Sequence, residues 1–239
     1  MTALATDAIE LVRHSDPDEW IEVCAAEMRK ALEGEIAERG RARMLLSGGT
    51  TPAPVYQALA ELPLQWDRVE VGLVDERWLS PQDHDSNAWL VRDSFLTRAE
   101  GAHFDPLVRV GMPLADCVHS ANLQAQHSQS PCLAVLGMGN DGHTASLFPG
   151  SRDLPRALAS THPYVSLDAT GCPVANEWTL RITLTPHGLA KVGTRLLLLR
   201  GQKKLDVLQQ ALEGGDELQH PVLAATRTPG ARLRGHWCP

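Results

Sequence analysis

Ala42-Arg-Met-Leu-Leu-Ser-Gly-Gly-Thr-Thr-Pro52 contains the turn on which the reading of the fold depends. Its opening, Ala42 to Leu46, is a short run of strand character, and Gly48-Gly49 follows it closely. Thr51 suits a helix N-cap and Pro52 the first helical turn, so the pattern predicts a helix through Val55, Tyr56 and Leu59. Glycine lets the backbone approach a ligand, and a helix start offers free N–H groups and the positive end of its dipole. Ser47, Gly48, Gly49 and Thr50 can therefore cradle a phosphate. In isolation, a plain strand-to-helix turn explains the same residues equally well. A P-loop is excluded, because no Gly-Lys-Ser/Thr follows at the required spacing.

The same alternation continues on both sides. Upstream, Ile21, Ala25, Met28, Leu32 and Ile36 recur at steps of three and four between Pro17 and Arg39, one face of an amphipathic helix stopped by Gly40. Downstream, Val69–Val74 reads as a buried strand ending at Asp75-Glu-Arg-Trp78. A polar loop leads into a helix carrying Trp89, Leu90 and Phe95, and a weaker helix spans about Leu114 to Gln126. Cys132–Leu136, Trp178–Leu184 and Arg195–Arg200 read as further strands, and Gln202 opens a helix reaching about Leu212. The expected fold is a single α/β domain over residues 1–239, Rossmann-like, with a mainly parallel sheet and helices on both faces. In such sheets ligands bind beyond the carboxyl ends of the strands.

Lysine and arginine number 22 against 29 acidic residues, a net charge of −7. That balance argues against a nucleic-acid partner, which needs a basic face. It leaves an anionic small molecule open, because a few cations in one cleft set the local field. The five cysteines are odd in number and form no C-x-x-C pair, so free thiols in a reducing compartment are expected. The first residues lack the basic start and apolar run of a signal peptide, and no apolar stretch reaches membrane-spanning length. A cytoplasmic protein without a membrane partner is expected. Oligomeric state is not legible; a monomer is compatible.

Three more segments carry polar residues at or near strand ends. Asp75-Glu76-Arg77-Trp78 offers a carboxylate to orient hydroxyls and a guanidinium to grip a phosphate. Asp83-His84-Asp85 has metal-ligand residue types, but adjacent residues cannot all point at one ion, and a solvated loop is the better reading. Gly137-Met-Gly-Asn-Asp-Gly142 matches the dinucleotide fingerprint G-x-G-x-x-G after a strand. That fingerprint also requires a long helix and a later acidic residue, whereas Phe148-Pro149-Gly150 stops any helix within two turns. No cofactor or metal is therefore expected. Asp141, His143 and Ser146 do not make a serine-hydrolase triad, since G-x-S-x-G is absent. His143 itself sits in a glycine-rich loop with no apolar face to bury it, which favours catalysis over a packing role. Last, Gly201-Gln-Lys-Lys204 opens a helix with lysines, an electrostatically disfavoured choice that a bound anion would explain.

Leu46–Pro52, Val74–Trp78, Asp85-Ser-Asn87, Leu136–Gly150, Arg181–Thr185 and Gly201–Lys204, in this order, closely resemble the 6-phosphogluconolactonase family, within the group that includes glucosamine-6-phosphate deaminase. The resemblance implies metal-independent hydrolysis of 6-phosphogluconolactone in the oxidative pentose phosphate route. It implies His143 as the base that activates water, a role that suits a histidine, and Asp75 as the carboxylate that positions substrate. Arg77, Lys204 and the Ser47–Thr50 loop become the phosphate grip, with Asp141 and Gly142 among the binding residues. Spacing from Gly201 favours Lys204 over its neighbour Lys203. Nearby donors should stabilise the oxyanion; N–H groups around Gly142 are candidates, and the sequence does not settle which serve. Deaminases of this group look like G-x-D-G-H followed by a Glu just before Pro-Gly, where this chain has Phe148, and they tend to carry Asp-Glu-Tyr in place of Asp-Glu-Arg. The chain departs from the family's acidic-then-alanine ending, closing Leu233-Arg-Gly-His-Trp-Cys-Pro239. A sugar-phosphate sensor is the non-enzymatic alternative, but it needs a helix-turn-helix, and only about forty residues precede the phosphate loop.

Overall fold

In the computed structural model, which describes residues 2–6 and 9–239, the opening segment folds as read: strand, glycine turn, helix. Strands and helices are numbered here in chain order. One sheet runs β1 (Thr2–Thr6), β2 (Ile9–Arg13), β11 (Leu233–Cys238), β10 (Thr194–Arg200), β7 (Leu133–Leu136), β3 (Ala42–Leu46), β4 (Val69–Leu73), β6 (His103–Phe104). β1 and β2 pair antiparallel; every other neighbouring pair is parallel. β3 is buried along its whole length and β10 at five consecutive positions, as expected of parallel strands covered on both faces.

The covering helices are α1 (Pro17–Arg39), α2 (Ala53–Ala60), α3 (Asn87–Val91), α4 (Leu114–His127), α5 (Leu154–Leu158), α6 (Pro186–Leu189), α7 (Gln202–Gly214) and α8 (Val222–Arg227). α1 begins where Asp16 accepts the N–H groups of Asp18 and Glu19, and ends at Gly40 in the left-handed region. Its inner face is Trp20, Cys24, Ala25, Met28 and Leu32. All five cysteines are buried free thiols.

Several strands differ from the sequence reading: β6 and β8 fall in segments not read as strands, and two more change the sheet order. Trp178–Leu184 was expected in the parallel sheet; the structure forms β9 (Leu180–Leu184) in a separate antiparallel sheet with β5 (Asp75–Arg77) and β8 (Tyr164–Asp168). The chain leaves β4 at Val74, whose N–H still reaches Leu46 and whose carbonyl accepts from Leu184 at 2.8 Å. Strand propensity marks an extended segment but not its partner. The polar closing segment Leu233–Cys238, not read as a strand, is β11 and lies inside the large sheet between β2 and β10.

Candidate active site

Beyond the carboxyl end of β3, Gly48 lies against Asn87. A Cβ at Gly48 would stand 1.9 Å from the Asn87 Oδ1, so no side chain fits. Among the described residues, the N–H groups of Gly48, Gly49 and Thr50 have no intrachain acceptor, and the buried Ser47 Oγ has no partner. Thr51 does not cap α2, whose first turn follows Pro52 without a side-chain cap. Its hydroxyl stands instead 3.5 Å from Lys204 Nζ. Lys204 comes from the first turn of α7 and lines the same cleft, whereas Lys203 points to solvent. Burial holds the Lys204 ammonium below its ordinary pKa, as expected where a cation awaits a counter-charge.

β5 supplies the second wall. Asn87 Nδ2 donates to the Asp75 carbonyl at 2.8 Å, and Ser146 Oγ donates to Asp75 Oδ2 at 2.5 Å. Glu76 points the other way into the interior. Its carboxylate accepts N–H bonds from Arg77, Asn87 and Ala88, each 2.8 Å, and so anchors the start of α3. Burial pushes Glu76 up to about 7 even against those three donors. Arg77 reaches the cleft while its guanidinium donates to the Asp85 carbonyl.

The third wall is the segment after β7. Gly139 turns under His143: a Cβ there would lie 2.2 Å from the imidazole Cε1. Asp141 Oδ1 lies 2.6 Å from His143 Nδ1 and also accepts the His143 N–H at 3.2 Å. Burial works to raise the Asp141 pKa, but the hydrogen bond and charge of His143 outweigh it and hold the carboxyl below its ordinary value. An ionised Asp141 takes Nδ1–H and leaves Nε2 with a free lone pair. The ring of Phe148 packs 4.7 Å from that imidazole.

These walls enclose a cleft of about 280 Å³. Ser47, Gly48, Gly49, Thr50, Asp75, Arg77, His143 and Lys204 all line it. Asp141 and Gly142 stand behind the lining. Asp141 is held against His143; Gly142 donates to Gly139 at 3.1 Å, its carbonyl accepts from Val222 at 2.9 Å, and it packs on His220. The Gly142 N–H is thus spent within the turn and is not free toward the cleft. Arg181, which the residue-level reading did not single out, also lines the cleft. It is buried over Phe148, with two guanidinium nitrogens on the carbonyls of Trp178 and Ala175 at 2.6 and 2.9 Å. Its signal was its place in the matching stretch Arg181–Thr185; nothing local marked an arginine on a strand as cleft-facing.

Asp83, His84 and Asp85 diverge, as adjacency requires. Asp83 accepts the Asp85 N–H, His84 packs on Trp89, and Asp85 accepts from Trp178 Nε1 at 3.0 Å. Among the described residues no group of three or more His, Cys, Asp or Glu is placed to hold a metal ion. Gly137–Gly142 is followed by α5 only at Leu154, so the helix a dinucleotide fingerprint needs is missing there. No helix of the described residues is long and apolar enough to cross a membrane.

Residues 15–233 match the family described as glucosamine-6-phosphate isomerases/6-phosphogluconolactonase. The 6-phosphogluconolactonase of Xylella fastidiosa strain 9a5c is 59% identical over 230 residues, 96% of each chain. That of Pseudomonas aeruginosa is 39% identical, covering 90% of this chain and 89% of its own. The crystal structure of a 6-phosphogluconolactonase from Shewanella baltica OS155 superposes with a TM-score of 0.86 at 30% identity, covering 96% of this chain and 97% of that one. With nearly its whole length matched and the cleft formed by the matching segments, the chain belongs to the glucosamine-6-phosphate isomerase/6-phosphogluconolactonase family.

Proposed function

We propose that this protein hydrolyses 6-phosphoglucono-1,5-lactone to 6-phosphogluconate, without a metal, using His143 as the base. The observation that carries the proposal is the Asp141–His143 pair at 2.6 Å, with Nε2 unengaged on a cleft whose other side holds the Ser47–Thr50 loop, Arg77 and Lys204. The phosphate takes the free N–H groups of the loop, the Ser47 hydroxyl and the two cations. Anchored there, the lactone C1 is held near a water on His143. His143 Nε2 accepts a proton as that water adds to C1, and Asp141 stabilises the imidazolium. The tetrahedral oxyanion collapses, the C1–ring-oxygen bond breaks, and His143 returns the proton to the departing O5. Asp75 accepts a sugar hydroxyl and fixes the ring. Phe148, which cannot carry a proton, stands beside His143; that favours lactone hydrolysis over the ring opening and deamination of the neighbouring branch.

The test uses lactone generated freshly from glucose 6-phosphate, because it also opens spontaneously, alongside ammonia release from glucosamine 6-phosphate. Lactone consumption above the spontaneous rate, without ammonia and undiminished by a chelator, is expected. Ammonia release moves the protein to the deaminase branch. Silence in both assays with sugar phosphate still bound indicates a sensor.

A further inference from the structure

Ser146 follows His143 by three residues but lies off the cleft, fully buried, with its hydroxyl on Asp75 Oδ2 at 2.5 Å. The direction of every bond around it is fixed. Thr183 pairs with Asp75 across β5 and β9. Its Oγ1 accepts the Ser146 N–H at 3.1 Å and gives its own proton to the Leu184 carbonyl at 3.2 Å. The Ser146 hydroxyl proton is then left for the carboxylate, a short charge-assisted bond in a dry setting. The other oxygen, Oδ1, has only Asn87 Nδ2 at 3.4 Å, so it retains capacity for a further donor.

The backbone that carries Ser146 is equally constrained. Thr144 Oγ1 donates to the Gly137 carbonyl at 2.8 Å. Ala145 sits at φ 50, a left-handed conformation costly for a residue with a Cβ. That conformation leaves Ala145 on the cleft wall while Ser146 turns inward to β5. Strain kept beside a cleft requires a compensating contact, and the Ser146–Asp75 bond is one.

We infer that Ser146 is a positioning residue for Asp75: by holding Oδ2 it sets where Oδ1 stands relative to His143, so that the turn 143–146 aligns both groups on one substrate. The inference rests on the proposed lactonase reading for the roles of His143 and Asp75. Asp75 would then meet its sugar hydroxyl without a rotamer search, a gain in positioning rather than in binding contacts.

The test is a double-mutant cycle on the full chain with Ser146→Ala, Asp75→Asn and the pair. Ser146→Ala is expected to lower kcat/KM about tenfold, the scale of a hydrogen bond to a charged group. In the Asp75→Asn background the same change should cost less than about twofold, because coupled residues are not additive. Ser146→Cys, similar in shape with a weaker donor, should fall between wild type and alanine, and it keeps the test available if the alanine variant fails to fold. Full additivity, or a folded Ser146→Ala enzyme within about twofold of wild type, overturns the inference. A readout independent of turnover is the carbon-13 signal of the Asp75 carboxyl, identified by its loss in Asp75→Asn. It should move in both Ser146 variants, and an unmoved signal also overturns the inference. If the wild-type protein does not hydrolyse the lactone, the proposed function fails by itself, and the carboxyl signal still decides whether Ser146 holds Asp75.

Discussion

Two histidine–carboxylate pairs in this molecule have similar parts and opposite surroundings. His143 and Asp141 meet at 2.6 Å on the cleft, with the histidine side chain 23% exposed. His236 on β11 meets Glu27 of α1 at 3.1 Å with no exposure at all, and its second nitrogen lies 3.1 Å from His14 Nε2. The His14 and His236 rings stack 5.3 Å apart, and Trp20 Nε1 donates to the His236 carbonyl, closing α1 onto the sheet. The first pair leaves one nitrogen lone pair free beside space for a substrate. The second spends both nitrogens on protein and fastens a helix. A histidine beside a carboxylate is therefore not in itself a catalytic signal; what the second ring nitrogen meets is what separates the two pairs.

The largest effect that would break this contrast is catalytic. His143→Ala should lower kcat about a thousandfold, the scale of general-base loss, with little change in melting temperature. A folded variant with near wild-type turnover would remove His143 from the mechanism. The reciprocal substitution, His236→Ala, should destabilise by about 3 kcal/mol, since it opens a buried space, strips His14 of its ring partner and leaves Glu27 with Arg234 alone. Urea unfolding measures that loss, and kcat should stay within about twofold of wild type because no lining residue changes. A collapse of kcat at unchanged stability would erase the distinction between the pairs.

The smallest effect sharpens the contrast through pH. Burial, and then the neighbouring His236, hold the His14 pKa below 6.5, while Glu19 works in the opposite direction. The unfolded chain therefore gains a proton near pH 6.5 that folded His14 resists, and stability declines as pH falls below that value. Glu27 responds in a separate, more acid window. Burial raises its pKa, but the hydrogen bond and charge of His236, then Arg234 and Lys30, prevail and leave it below 4.5. Its contribution is present above 4.5 and fades as pH drops through the folded value. Unfolding free energies from pH 7.5 to 5.5 should decline in the wild type and flatten in His14→Gln; equal slopes would exclude His14 as the source.

The contrast also shows how far residues can be read before they are folded. His143 was legible because its local context is unusual: a strand, three glycines and no apolar face. His236 sits in a closing segment with arginine, glycine and histidine that lacks strand composition, and its burial comes from partners more than 200 residues away in sequence. Arg181 escaped the residue-level reading for a related reason. It reaches the cleft because β9 pairs with β5 across an antiparallel sheet, and pairing leaves no mark in a short extended run.

What the sequence by itself determined are the features set by neighbours along the chain: the strand–glycine–helix unit at Ala42–Pro52, the amphipathic face of α1, and the glycine-rich segment that presents His143. Short-range sterics and periodicity act within one or two turns, so they can be read from order alone, whereas the cap expected at Thr51 gives way to the contact with Lys204. Only the tertiary structure decided that Arg181 faces the cleft, that Gly142 packs on His220 instead of lining the site, and that Ser146 is spent on Asp75. Those outcomes depend on the direction a side chain takes once distant strands have packed. That direction is fixed by burial and hydrogen-bond satisfaction across the whole molecule.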